Sequence, residues 1–318
     1  MKLHVLIDNL PNPANPALQH EHGLSILLQT DEGKNYLTDT GASGKFLENL
    51  EILRQADSTL PSAEEIDAVI ISHGHNDHTG GLRSFLEANT TAKVYLHSSI
   101  QGNLYFSCRN RGASTTSPGI MEARSIGMEQ SLFAEYGHRF IQISEPVSIT
   151  DKITLVPMGD SIGKQPMPLG NKYLYKNDFP DNFSHEFALL IEYAPQEFAI
   201  ISPCTHNGIL NTLWSCTEAV GKKYPCNGTD DSLAAQHRNM LKCFIGGLHY
   251  VDYLKLEQGN KEAASIIETA NTLKRDYPQL AIHSGHCTCA AASLLLEQEL
   301  GDSYRCFRTG SIIECSTR

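Results

Sequence analysis

Short apolar runs separated by turn residues set the pattern of the first hundred positions. Residues 2–8, 24–28 and 35–39 are apolar stretches divided by Pro, Gly and Asn-rich segments, which predicts three strands joined by turns. A helical period follows from Gly44 to Arg54. The β-branched run Ile66 to Ile71 then reads as a buried strand, Thr79 to Ala88 as a helix and Lys93 to His97 as a further strand. A succession of this kind favours parallel pairing. The second half repeats the theme. Phe187 to Tyr193 and Phe198 to Ser202 read as a hairpin around Ala194-Pro195-Gln196, and Cys243 to Gly246 as a strand. Ala263 to Arg275 has the period of an amphipathic helix, Leu280 to His283 reads as a strand, Ala290 to Leu300 as a helix, and Ser311 to Cys315 closes the chain. From about 98 to 182 no period is sustained. The reading is therefore a single α/β domain over 1–318 with an irregular insertion or lid at 98–182 that shapes a substrate pocket, a surface elaboration or dimer arm being the alternative.

Chemistry concentrates where the first parallel strand ends. Ile70 to Leu82 reads IISHGHNDHTGGL. A strand ending at Ser72 leaves His73 and His75 two apart on an extended segment, so both imidazoles reach one ion. Asp77 and His78 fall where the chain turns into a helix and face a second ion. Imidazole with carboxylate suits zinc, iron or manganese, and three or fewer protein ligands per ion leave a position for water. Such a cation lowers the pKa of water from about 15.7 toward ~7 and polarises a carbonyl or phosphoryl oxygen, with Asp77 placed to hydrogen-bond that water.

The remaining ligands have to come from far along the chain. His206, just past the strand ending at Ser202, is the expected third histidine of the first site, and His286, just past the strand near His283, the expected partner of Asp77 and His78. His249 follows two glycines that permit close approach of a ligand, and is assigned to substrate contact or proton transfer, with metal ligation as the second choice. Asp39 is expected to orient the ligand histidines. Asp8, Glu21 and His22 belong to the same rim or are ordinary loop polars. Cys204 is either a thiolate near an ion, even a bridge between two, or a buried thiol. Arg109 and Arg111 are candidates for a substrate phosphate, or are simply solvated.

His73 to His78 followed by Thr79-Gly80-Gly81 resembles the HxHxDH signature of the metallo-β-lactamase-fold hydrolases. Glu21 to Ser25 and Leu37 to Gly41 resemble the opening strands and strand-end aspartate of that fold. Ser202 to Ile209, Gly246 to His249 and Gly285 to Thr288 resemble the branch of 7,8-dihydropterin-6-methyl-4-(β-D-ribofuranosyl)aminobenzene-5′-phosphate synthase-like proteins. The resemblance implies an αββα sandwich of two mixed sheets flanked by helices, with two zinc ions, or iron or manganese, at one rim. Many relatives bridge the ions with a late aspartate. Here Cys243 to His249 reads CFIGGLH and has none, which leaves the bridge to His249 or to water.

Composition narrows the function. A formal charge of −11 disfavours a nucleic-acid partner, so the nuclease readings recede. No stretch approaches the ~18 apolar residues of a membrane span, and the N-terminus has no signal-peptide core, from which a cytoplasmic protein without a membrane partner is expected. Nine cysteines form an odd set, expected to be mostly reduced and buried. The leading expectation is a metal-dependent hydrolase of a small-molecule ester, lactone or phosphoester. A pterin-related synthase displacing diphosphate and a catalytically silent metal-binding or redox protein are the alternatives. Oligomeric state is not legible in the sequence.

Overall fold

The computed structural model describes residues 1–111, 120–159, 163–225, 230–251 and 255–315. Two seven-stranded sheets face each other. The first runs, edge to edge, β18 (Ile312–Glu314), β1 (Lys2–Ile7), β2 (Ser25–Gln29), β3 (Asn35–Thr38), β4 (Ala68–Ile70), β5 (Lys93–His97) and β8 (Phe140–Ile143). Its β18 to β3 portion is antiparallel, and β3, β4, β5 and β8 pair in parallel. The second runs β17 (Tyr304–Cys306), β16 (Ala281–Ser284), β15 (Leu241–Gly246), β14 (Glu197–Ile201), β13 (Phe187–Ala194), β10 (Ile153–Pro157) and β9 (Val147–Ser148). Here β17 to β14 are parallel and the rest antiparallel.

Side-chain alternation explains why the sheets stack. Along β13, Phe187, Leu189 and Ile191 enter the core between the sheets, while Ala188 and Leu190 turn to the helices on the outer face. A slip of one residue would exchange these sets, so burial on both faces fixes the register. Helices α5 (Ile209–Lys223), α6 (Asp230–Met240), α7 (Lys255–Asp276) and α8 (Ala290–Leu300) contribute to the core outside the second sheet. Outside the first sheet lie α1 (Lys45–Ala56), α3 (Leu82–Ala88) and α4 (Ser131–Tyr136). Three apolar layers between four tiers make this the αββα sandwich expected from the sequence. None of the described helices is long and apolar enough to cross a membrane.

Three details depart from the sequence reading. The helix expected over Thr79 to Ala88 is two, α2 (Asn76–Thr79) and α3, broken at Gly80-Gly81. A Cβ at Gly80 would lie 2.2 Å from the Ala42 carbonyl oxygen, and one at Gly81 2.3 Å from those of Ser43 and Thr40, so this corner packs directly on the loop after β3. Helices α5 and α6 were not anticipated. The described residues of 98–182 carry regular strands: β8 extends the first sheet and β9 and β10 the second. A third, antiparallel sheet forms from β12 (Phe179–Pro180), β11 (Leu174–Lys176), β6 (Tyr105–Arg111) and β7 (Ile120–Ser125). The side chains of Arg109 and Arg111 lie outside the described residues.

Candidate metal centre

The parallel strands end at one rim, and the histidines follow those ends directly. His73 comes after β4, His206 after β14, His249 after β15 and His286 after β16. Among the described residues, four of the seven non-glycine residues with positive φ lie here, at Asp39 (59°), Thr205 (49°), His249 (51°) and His286 (51°). A left-handed residue of this type costs of order 1–3 kcal/mol. The chain therefore holds this rim in turns that the surrounding packing has to enforce.

Two sets of donor atoms converge. In the first, ring nitrogens of His73, His75 and His206 lie within 4.8 Å of one another, with His73 Nε2 and His206 Nε2 3.2 Å apart. In the second, His78 Nε2 is 3.0 Å from His286 Nε2 and 3.7 Å from Asp77 Oδ2, and His286 Nε2 is 3.4 Å from that same oxygen. The exposed His22 adds Nε2 at 3.4 Å from Asp77 Oδ2 and stacks on the His286 ring. Cys204 Sγ lies within 4.8 Å of a ring nitrogen of His73 and His78, of His206 and His249, and of His286. It thus occupies the seam between the two sets.

Hydrogen bonds behind the rim fix these rings. Asp39, directly after β3, accepts from Ser72 N at Oδ1 (2.7 Å) and from Ser72 Oγ at Oδ2 (2.7 Å), and pairs through Oδ2 with His78 Nδ1 (2.7 Å). Ser72 Oγ is also 2.9 Å from His73 Nδ1. One buried carboxylate thus reaches a histidine of each set, His78 directly and His73 through Ser72. Asp8 accepts from His286 N (2.7 Å), and Asn9 Oδ1 lies 3.1 Å from His286 Nδ1. Glu21 instead accepts from Ala42 N, Ser43 N and Ser43 Oγ, so it shapes the neighbouring loop.

Several supports were not read from the sequence. Buried Glu186 accepts from His206 N (2.8 Å), Asn207 N (2.9 Å) and Asn207 Nδ2 (2.7 Å), and so builds the His206 turn. Asn171 Oδ1 lies 3.2 Å from His206 Nδ1. His185 Nδ1 accepts from Gly74 N (3.1 Å) while its Nε2 pairs with Asp181 (2.9 Å), which holds the peptide between His73 and His75. The strand-end position of Glu186, at β13, was the available signal. Asn171 comes from the segment without periodicity and His185 from the turn between that segment and β13, and neither gave one.

Burial dictates the charge of the first set. Desolvation, reinforced by neighbouring imidazoles, holds His73 and His206 well below the usual histidine range and brings His75 down to about 3. These rings are neutral at pH 7, the form a cation needs. In the second set burial disfavours charge on both partners but is outweighed. Asp77, surrounded by His78, His286 and His22, lies well below the usual carboxylate range, and His286 is pushed up to about 9 by its hydrogen bond to Asp77.

Ring nitrogens aimed at nothing bear on metal binding. His75 Nε2 and His249 Nε2 are buried and have no hydrogen-bond partner among the described residues. Leaving such an atom unsatisfied costs about 1–3 kcal/mol. A divalent cation accepts imidazole and carboxylate donors of this number and reach, so the residues fit one. Above the sets opens a cavity of about 770 Å³, walled by Asp77, His206, His249 and His286, by Arg124 of the third sheet and by Ala290 at the start of α8. His249 lies with its ring centre 4.1 Å from that of His206.

Comparison with known proteins agrees with this architecture. Residues 20–101 match the model of the metallo-beta-lactamase superfamily. The chain is 25% identical over 325 aligned positions to 7,8-dihydropterin-6-methyl-4-(beta-D-ribofuranosyl)-aminobenzene-5'-phosphate synthase of Methanocaldococcus jannaschii, covering 99% of this chain and 96% of that protein. Among solved structures it is similar to Tm1679, a metal-dependent hydrolase of the beta-lactamase superfamily, with a TM-score of 0.69, 22% identity and full coverage of both chains. Motif, sheet order and these likenesses agree, and the chain has the metallo-β-lactamase fold.

Proposed function

We propose that the protein is a metal-dependent hydrolase of a small-molecule ester, lactone or phosphoester. His73, His75 and His206 would hold one divalent ion and Asp77, His78 and His286 a second, with zinc the expected metal. The observation that carries this reading is the convergence of six donors in two sets, of which His75, Asp77, His206 and His286 line one cavity. Bound there, divalent ions supply Lewis acidity to a substrate oxygen and make water a stronger acid. The chain's own residues do the rest. Asp77 presents an ionised carboxylate that accepts a hydrogen bond from water and orients it. His249 Nε2, unpartnered and facing the cavity, is placed to exchange a proton with a leaving group.

A second reading rests on the likeness to the Methanocaldococcus jannaschii synthase along nearly the whole of both chains. In it the same centre activates an electrophile, an amine attacks in place of water, and diphosphate leaves. One assay separates the two. Purified protein loaded with zinc, iron or manganese is offered an ester, lactone and phosphoester panel, and separately a pterin diphosphate with and without an arylamine ribosyl phosphate acceptor. Turnover on the panel supports the hydrolase, and diphosphate release that requires the acceptor supports the synthase. Full metal loading with no turnover in either arm would overturn both and favour a metal-binding or redox role.

A further inference from the structure

Cys204 and Cys287 stand in contact beside the centre. Their Sγ atoms are 3.3 Å apart, and both residues are buried. They come from two different loops, the one after β14 that carries His206 and the one after β16 that carries His286. Gly247 leaves the room for this meeting, because a Cβ there would lie 2.4 Å from Cys287 Sγ. The Cys287 sulfur is further held by the His249 N–H (3.3 Å) and lies 3.5 Å from the Cys204 carbonyl oxygen. A disulfide bond is about 2.05 Å long, so the two sulfurs have to approach by a little over ~1 Å to bond.

Access and contact together point to this pair. Cys204, Cys287, Cys289 and Cys306 all line the cavity of about 770 Å³, so a solute the size of a peroxide reaches the touching sulfurs of Cys204 and Cys287 without opening the fold. Cys243 and Cys315 also interact, but inside the core between the sheets. Cys306 is exposed.

We propose that Cys204 and Cys287 form a dithiol that peroxides close into a disulfide, a modification site that ties together the two loops bearing His206 and His286. The chemistry balances with one hydroperoxide as oxidant. The Cys287 sulfur attacks a peroxide oxygen, the O–O bond breaks, and one water leaves to give a sulfenic acid. The Cys204 sulfur then attacks the Cys287 sulfur, the S–O bond breaks, and a second water leaves with the Cys204 proton. Two thiols are oxidised and one hydrogen peroxide becomes two waters. This site does not depend on which substrate the centre takes.

The test uses the purified full chain with a small molar excess of hydrogen peroxide, followed by alkylation and trypsin. Cys204 falls in peptide 177–222 with Cys216, and Cys287 in peptide 276–305 with Cys289, so fragmentation of the joined peptides assigns the bond. The expected product is a 177–222/276–305 pair about 2 Da lighter than the two reduced peptides, joined through Cys204 and Cys287 and released by dithiothreitol. Cys204→Ser is expected to lose the cross-link and to leave Cys287 as a sulfenic acid that dimedone labels. Recovery of both residues as alkylated thiols, at a dose that oxidises exposed Cys306, would overturn the proposal. So would a bond assigned by fragmentation to Cys216 or Cys289. The wild-type digest carries the decision even if the variant fails to fold.

Discussion

The two donor sets differ more in charge than in shape. His73, His75 and His206 form an all-imidazole set, wholly buried and kept neutral by desolvation. Asp77, His78 and His286 contain a carboxylate and an imidazole that favours protonation, and they meet solvent through the part-exposed Asp77 and the exposed His22. Both sets are steadied from behind, the first by Ser72, Asn171 and Glu186 and the second by Asp39, Asp8 and Asn9, and the second adds attraction among its own members. A cation entering the first set displaces no proton. One entering the second replaces the proton of His286 as the partner of Asp77.

The largest expected effect comes from removing one donor of either set. His75→Ala and Asp77→Ala are each expected to abolish measurable turnover while circular dichroism stays unchanged, since neither side chain supports an apolar core. Next is Asp39→Asn, which keeps a residue tolerant of positive φ but removes the charge that steadies His78 and Ser72. Outer-shell changes of this kind cost roughly 10–100-fold in metal affinity, and titration calorimetry is expected to show it in both sets. Glu186→Gln sharpens the contrast. It leaves a weaker acceptor for the His206 turn, at about 1–3 kcal/mol, so affinity is expected to fall in the first set and hold in the second.

Acidity separates the sets by sign. His75 has its folded pKa lowered to about 3, so below pH 6.5 the unfolded chain takes up a proton that the folded chain refuses, and stability falls as pH drops from 6.5 toward 3. His286 is pushed up to about 9, so its contribution is fully present below pH 6.5 and is lost as pH rises through 9. Metal-stripped protein is therefore expected to melt lower on both sides of a maximum near pH 6.5. Metal uptake by the second set at pH 7 is expected to release about one proton, read by indicator dye, and uptake by the first set none. The smallest effect is expected at His22. Its ring is exposed and touches only the edge of the second set, so His22→Ala is expected to change turnover by a few-fold at most.

The amount of this that was legible in the sequence follows from range. His73, His75, Asp77 and His78 crowd into six positions, and His206 and His286 each follow an apolar run, so spacing and strand ends were enough to find them. Asp39 was legible for the same reason. Asn171 and His185 were not, because each reaches the centre from the segment around the third sheet, whose strands are too short and too polar to show a period. The contact of Cys204 with Cys287 links residues 83 positions apart through two turns, and no local pattern encodes it. The α2–α3 break was hidden because Gly80 and Gly81 are required by packing against the loop after β3, a tertiary demand.

Metal stoichiometry of stripped and reloaded protein tests the two-set centre most directly. Zinc titrated into wild type under equilibrium dialysis is expected to saturate at two ions per chain, with His75→Ala retaining an ion in the second set and Asp77→Ala one in the first. Unchanged stoichiometry in both variants would contradict the centre.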